Sequence, residues 1–411
     1  MSILLALENG EIGLLDSNTQ RLQKTGITIK DKVFHREGEE RHEFSLLTSE
    51  QIEERQDEID ADTKREVYFI VPNTPTAGLI TKNTAYVGTQ HGEIHRYGRD
   101  SGITDVTSRL NSFTAEEKKW DLYGNKGHYE KHIENTASWQ RHAEKHSDNS
   151  ELQDIVKHQK EDDAKRTGRY FDLSNVFFNG WWRLDKILEV GDQVWDFSMA
   201  GIFHTDTNKL LRDTEVRSPQ FYDGQVIGAF KKHGLRSYLD SSLGRPIDQY
   251  VESDTDLKTM DGITLMKKAA MHNGSGCEQG KITVVDGLIF RYHDYHTLDV
   301  HDLTGGKFRG KISLQDPMNA QVLQDGRDLY LAASEHKTGL HYMNIRGGEI
   351  KLEPVEGLMG VHLSGFNTPG GLLLAECGYH DSTTKLHTVE DGQLQGTIEL
   401  PYKARVLDVR E

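Results

Sequence analysis

Residues 4–16 read Leu-Leu-Ala-Leu-Glu-Asn-Gly-Glu-Ile-Gly-Leu-Leu-Asp: a short apolar strand, a tight turn at Gly10, a second apolar strand and a polar stop. The pattern returns from Ala85 as Ala-Tyr-Val-Gly-Thr-Gln-His-Gly-Glu-Ile-His-Arg-Tyr-Gly-Arg-Asp. It returns again from Val194 as Val-Trp-Asp-Phe-Ser-Met-Ala-Gly-Ile-Phe-His-Thr-Asp, and further copies begin at Val226, Leu288, Leu329 and Leu372. Within each copy apolar and polar positions alternate, the period of a half-buried antiparallel strand. The middle turns fall near Gly10, Gly92, Gly201, Gly234, His296, Gly339 and Asp381, at spacings of 82, 109, 33, 62, 43 and 42 residues. From Asp381 through the last residue and round to Gly10 is 40 residues, the unit length again. The final strand, 404–411, has no hairpin after it, and the first hairpin has no strand before it. Pairing the two ends supplies what each lacks and removes the exposed edge of an open array.

This repeat resembles the β-propeller superfamily, nearest in period to WD-repeat-like and YVTN-like propellers with about 40 residues per four-stranded blade. The resemblance implies an all-β fold, a seven-bladed β-propeller closed by its N- and C-terminal strands, with α-helical insertions on one face. It carries architecture and no function. No Trp-Asp dipeptide ends a third strand: the one Trp-Asp pair, Trp120-Asp121, lies in the longest insertion, and the Gly-His opening is missing. The expected organisation is a closing blade from 1–26 and 404–411, an insertion over 27–75 and a blade over 76–110. A helical insertion over 111–180, two blades over 181–251, a loop insertion over 252–281 and three blades over 282–403 complete it.

Each insertion falls between the outermost strand of one blade and the innermost strand of the next, which sets all three on one face. Inserts of this length in a compact domain are commonly functional. The first contains an acidic helix from Ser49, with Ser49 as N-cap and Glu53 near the capping-box offset. In the second, helices are expected to open at Thr114, to run from Asn135 to Lys145, and to run from Ser150 to Arg166. Between 112 and 169 it carries 11 Lys+Arg against 12 Asp+Glu and few apolar residues, so its helices need a surface to pack on. The third ends in the glycine-rich stretch from Asn273 to Gly280.

The whole chain has 49 Lys+Arg against 65 Asp+Glu, a net charge of −16, which disfavours nucleic acid as a main partner. Two cysteines, Cys277 and Cys377, exclude a disulfide framework and suit a reducing compartment. With no basic leader before the first apolar run and no stretch of spanning length, the expected location is cytoplasmic and the expected partners exclude a membrane.

Histidine is abundant, 20 in all, and recurs beside the hairpin turns: His91, His204, His233, His293, His296, His336 and His380. His titrates near neutrality and ligates metals, so these residues invite a metal or acid–base reading. Turns on different blades fan apart, however, and first-shell nitrogens lie about 2.0–2.2 Å from a metal. Only His293 and His296 fall within one turn. In the second insertion His128/His132 and His142/His146 have the i, i+4 spacing that places two rings on one helix face. Those six histidines are the candidate ligands for a divalent transition metal; no other cofactor is expected. His142-Ala-Glu-Lys-His146 lacks the order of a zincin motif, and a solvated charged face competes with the metal reading. Cys277, near His272, is a candidate nucleophile set against a plain loop thiol, while Cys377 reads as core. Phe177, Phe178, Trp181 and Trp182 form an aromatic cluster at the return of the second insertion, either a seat for that insertion or a stacking platform. No phosphate-binding loop occurs.

The leading functional expectation is a binding scaffold for a protein partner, engaged through the decorated face and the helical insertion. Phe177, Phe178, Trp181, Trp182, His91, His233, His336 and His380 are the binding candidates. No catalytic signature is recognisable. The alternative is a propeller lyase or hydrolase with a metal or His/Asp/Glu site beneath the helices, drawing on His293, Asp294, His296, Asp299 and His301.

Overall fold

The computed structural model describes residues 1–36, 44–64, 66–112, 119–121, 126–147, 149–166, 170–172, 182–212, 216–222, 225–230, 257–260, 263–266, 282–292, 297–303, 307–313, 320–333, 339–346, 349–358, 363–376 and 382–410. The chain is a β-propeller. Among the described residues there are seven four-stranded sheets. The first is made of Arg21–Thr28, Glu11–Asp16 and Ser2–Leu7, with Ala404–Arg410 as its fourth strand. Ser2 pairs with Arg410 and Leu7 with Ala404, antiparallel, with a bulge between Leu4 and Leu5. The second sheet runs Pro75–Ile80, Thr84–Thr89, Glu93–Gly98, Thr104–Ser108, and the third Leu184–Val190, Gln193–Ser198, Gly201–His204, Lys209–Arg212. The fifth, sixth and seventh sheets, over 282–313, 321–354 and 363–400, follow the same meander.

Apolar layers between neighbouring sheets hold the molecule together. Leu4, Ala6 and Ile12 of the first sheet pack on Ile80, Ala85 and Val87 of the second. Ala77, Tyr86 and Ile94 then meet Leu184 and Ile187 of the third. Phe197 and Ile202 meet Val216 and Val226 of the fourth, and Tyr222 meets Val284 and Ile289 of the fifth. Phe290 and Val300 meet Val322 and Leu331, and Leu323 and Tyr330 meet Leu363 and Leu374. Leu373 and Leu386 of the seventh sheet return to Ile3, Leu5 and Val406 of the first. Alternate residues of one strand therefore serve different layers, with Ile3 and Leu5 facing one neighbour and Leu4 and Ala6 the other. The simple apolar–polar alternation expected of half-buried strands is replaced by the continuous run Ile3-Leu-Leu-Ala6, because both faces of an inner strand are covered.

Two expectations about the insertions change. Leu257–Met260 and Ile263–Met266, inside the stretch read as a loop, are strands of the fourth sheet. There Ile263–Met266 pairs parallel with Gln225–Phe230 (Val226 opposite Ile263), and antiparallel with Leu257–Met260. Leu257-Lys-Thr-Met and Ile263-Thr-Leu-Met flank Asp261-Gly262, a two-residue hairpin signal that the glycine-rich stretch downstream obscured. In the first insertion the helical segment is two short helices, α1 (Ser49–Glu54) and α2 (Gln56–Ala61), and the N-cap is Thr48 rather than Ser49. Thr48 Oγ1 accepts from the Gln51 backbone N–H at 3.2 Å while Gln51 Oε1 accepts from the Thr48 N–H at 2.9 Å, a complete capping box one residue earlier than expected. These helices adjoin a three-stranded sheet of Phe44–Leu46, Lys32–Arg36 and Tyr68–Val71.

Helices α3 (Lys126–Lys145) and α4 (Ser150–Arg166) make up the second insertion; α3 begins earlier than the expected Asn135. The expected helix opening at Thr114 lies outside the described residues, but the following Lys119–Asp121 is a strand paired with Tyr170–Asp172. No helix among the described residues is long and apolar enough to cross a membrane.

Candidate functional site

Both large insertions attach at the same end of the strands. Thr28, before the first insertion, pairs with Glu11 beside the Gly10 turn, and Pro75, after it, pairs with Thr89 beside the Gly92 turn. Ser108, before the second, pairs with Glu93, and Leu184, after it, pairs with Ser198. The decorated face is therefore an observed feature around the second and third sheets.

Gly92 organises this face. Its φ is +76°, and a Cβ there would lie 2.8 Å from Trp182 Cβ and 3.2 Å from Arg109 Cβ. Only a bare turn lets the outgoing and returning ends of the second insertion cross so closely. The Gly92 carbonyl accepts from the Arg109 N–H at 2.9 Å. Trp182 is fully buried, so it seats the insertion and offers no open stacking face. Phe177, Phe178 and Trp181 lie outside the described residues.

Arg109 is buried too, against fully buried Asp196 of the third sheet. Its Nε donates to Asp196 Oδ1 at 2.9 Å, and its Nη2 donates to Oδ2. Its Nη1 donates to Asn208 Oδ1, and its Cζ sits 4.5 Å from the Phe203 ring centroid. Thr205 Oγ1 gives Asp196 Oδ2 a further donor at 2.9 Å. Burial pushes the Asp196 carboxyl up and the Arg109 guanidinium down, and these close donors are what oppose it. Alongside, Arg96 reaches Thr107 Oγ1 at 2.7 Å and the Thr205 carbonyl. Tyr86 donates to Asp206 at 3.1 Å, its hydroxyl pushed up to about 12 by burial and by that carboxylate. Sequence reasoning missed this network. Its one visible cue was a lone carboxylate inside the apolar run Val194-Trp-Asp-Phe.

The first insertion is clamped by Glu93. Its carboxylate pairs with Lys32, accepts from Asn73 Nδ2 at 2.9 Å, and lies 3.6 Å from His95 Nε2. Burial alone raises the Glu93 pKa, but His95 and the Lys32 charge outweigh it and hold it at about 2. A carboxylate this acidic stays ionised and is a poor general acid or base near neutrality. Because the folded pKa lies below the usual 4.5, the pair stabilises the protein above that value and the gain is lost as pH falls from about 4.5 toward 2. A shift of that size corresponds to about 3 kcal/mol. Glu93→Gln should flatten the acid limb of the stability curve in that window, read by urea unfolding between pH 2.5 and 6; an unchanged limb would show that the clamp contributes nothing.

His91, expected at a turn surface, is fully buried, with Nε2 3.2 Å from the Pro72 carbonyl and its ring edge-on to Phe34. Insertion one covers the turn, which is why a polar turn residue becomes interior. His204 Nδ1 accepts from the Thr207 N–H at 3.3 Å, as a turn residue does. His142 and His146 do come together at the C-terminal end of α3, ring centroids 4.7 Å apart. His128 and His132 fall on the same helix, but their side chains lie outside the described residues, as do His233, His272, His293, Asp294, His296, His336, His380, Cys277 and Cys377. Asp299 and His301 occupy one strand of the fifth sheet, Asp299 buried and the His301 ring 5.3 Å from Phe308. Among the described residues no three His, Cys, Asp or Glu side chains converge as metal ligands.

No family model and no curated protein matches the chain. Among solved structures it is similar to BamB from Moraxella catarrhalis, at 12% identity over 82% of this chain and 80% of that one, with a TM-score of 0.37. It is similar to the computationally designed Ika8 protein at 13% identity over 97% and 87%, TM-score 0.42. It is also similar to a chain of the mitotic checkpoint complex at 7% identity over 97% and 74%, TM-score 0.33.

Proposed function

We propose that this β-propeller is a seven-bladed, cytoplasmic binding scaffold that holds a protein partner on the face carrying the insertions, with the helical hairpin α3–α4 as the contact element. The observation that carries the reading is what the hairpin does with its apolar residues. Among its described side chains it buries Thr136, Ala143 and Val156, while Trp139 and Ile155 remain 42% and 43% exposed. Gln153 Nε2 caps the seam by donating to the Ala143 carbonyl at 2.9 Å. Tryptophan is enriched where binding energy concentrates, and a helix pair with so thin a seam gains stability from a third surface. The buried network at Arg109 anchors the start of the second insertion, as a scaffold requires, while Glu93 clamps the first.

The Lys119–Asp121/Tyr170–Asp172 ladder gives a clean place to cut. Replacing residues 122–169 by a two-residue Asn-Gly turn should leave the melting temperature of the propeller within a few degrees. The same change should abolish retention of partner proteins by the immobilised chain. Trp139→Glu with Ile155→Glu should melt normally and lose the same partners. An identical set of partners retained by all three proteins would overturn the reading.

A further inference from the structure

At the end of the strands opposite the insertions, a cleft of about 1100 Å³ opens between the first and second sheets. Its edges are the turn after Asp16, the turn at Lys82 and the turn after Gly98, and its floor is half-buried Leu22 above the buried Leu14 and Leu15. Arg21, Lys24, Lys82 and Arg99 line it against two carboxylates, Asp16 and Asp100, in a protein whose net charge is −16.

The carboxylates cancel this charge only in part, and the cations still outnumber them. Asp16 Oδ1 is engaged by the backbone N–H groups of Asn18 and Thr19 at 2.8 and 3.2 Å, closing its own turn. Lys24 is occupied by Glu11 at 2.9 Å. Among the described residues, Arg21, Lys82 and Arg99 have no carboxylate partner, and Asp100 alone is left to face them. Arg99 is also held rigidly across the joint between the sheets. Its Nη1 donates to the Thr81 and Lys82 carbonyls at 3.1 and 3.2 Å, and its Nη2 donates to Ser2 Oγ at 3.0 Å. A guanidinium has five N–H donors, so two remain unassigned on a cation already fixed in place, the arrangement that suits an incoming carboxylate.

We propose that this cleft binds a short acidic peptide segment bearing an apolar side chain, from a partner protein, independently of the decorated face. The opposite charges supply the steering, half-buried Leu22 on the floor meets the apolar side chain, and the size exceeds what a single small anion fills. The test is titration of the full chain with the capped peptide Glu-Glu-Leu-Leu-Glu-Glu, followed by fluorescence anisotropy at 50 and 300 mM salt. Binding should weaken at least tenfold in the Arg21→Glu/Lys82→Glu double variant, whose changes lie at exposed positions and leave melting intact. Arg99→Lys keeps the charge but loses the planar fork, and should weaken binding by a smaller factor. Equal binding of the neutral Gln-Gln-Leu-Leu-Gln-Gln peptide, equal binding by the charge-reversed variant, no binding of the acidic peptide at 1 mM, or pyrophosphate binding as tightly as the peptide would each overturn the proposal.

Discussion

Arg109→Met should cost about 3–5 kcal/mol of folding stability, the expected penalty for breaking a buried ion pair and stranding its partner charge. Asp196 has no route to water: it is fully buried, and Arg109 supplies two of the three side-chain donors that hold its oxygens. The single variant leaves a carboxylate whose pKa burial already pushes up, so its loss should be greatest at neutral pH and partly recover on acidification, as protonation removes the stranded charge. The double variant Arg109→Met/Asp196→Leu removes both charges and should regain most of the loss, since desolvation opposes the pair as strongly as attraction favours it. Melting curves of the two single variants and the double, at pH 5 and 7.5, form a double-mutant cycle. A single-variant loss under 1 kcal/mol would mean that water reaches Asp196 and that the network is not the anchor of the second insertion.

The second large effect concerns the closing strand. Removing the residues after Lys403 should leave no cooperatively folded protein. Ala404, Val406 and Leu407 are buried between the first, second and seventh sheets, and each large aliphatic side chain contributes about 1.5–3 kcal/mol. Polar ties add to this. Asp408 accepts from the Ile80 N–H at 2.6 Å, and Arg410 Nη1 reaches both the Ile80 carbonyl at 2.8 Å and Glu189 at 3.0 Å. The approach is close: a Cβ on Gly78 would lie 2.6 Å from Leu407 Cβ. Together these terms approach the whole net stability of a typical domain, ~5–15 kcal/mol. Because Arg410 pairs with Ser2, residues 404–411 placed ahead of Met1 through a short Gly-Ser linker should restore folding to the truncated chain. Far-UV and near-UV circular dichroism with limited proteolysis would read both variants, and a truncated chain that folds as well as the full one would refute ring closure as the source of stability.

The repeat was legible because hairpin period, turn glycines and end complementarity are local signals summed over many copies. The boundary of α4 at Ser150 and Arg166 was legible for a similar reason, an uninterrupted helical stretch opening after Asn149, whose Oδ1 accepts from the Leu152 N–H. What escaped was long-range. Arg109 and Asp196 are 87 residues apart and belong to no motif. Glu93 meets Lys32 across 61 residues, and only the register of the inserted three-stranded sheet brings them together. His91 reads as a solvated turn residue until the first insertion folds over it. The charged cleft is equally silent in sequence, since Arg21 comes from the start of a strand and Lys82 and Arg99 from two separate turns.

The pairing of Ser2–Leu7 with Ala404–Arg410 also imposes an order in time on the living chain. The other described sheets draw their strands from contiguous stretches, so each can form soon after it leaves the ribosome. The first cannot: its hairpin over 2–16 emerges about 400 residues ahead of the strand that completes the sheet. At roughly 5–20 residues per second that is about 20–80 s with Ile3 and Leu5 uncovered. The hairpin over 2–16 is thus the segment most dependent on chaperone occupancy during synthesis, and the one where a translational pause ahead of residue 404 would be felt most.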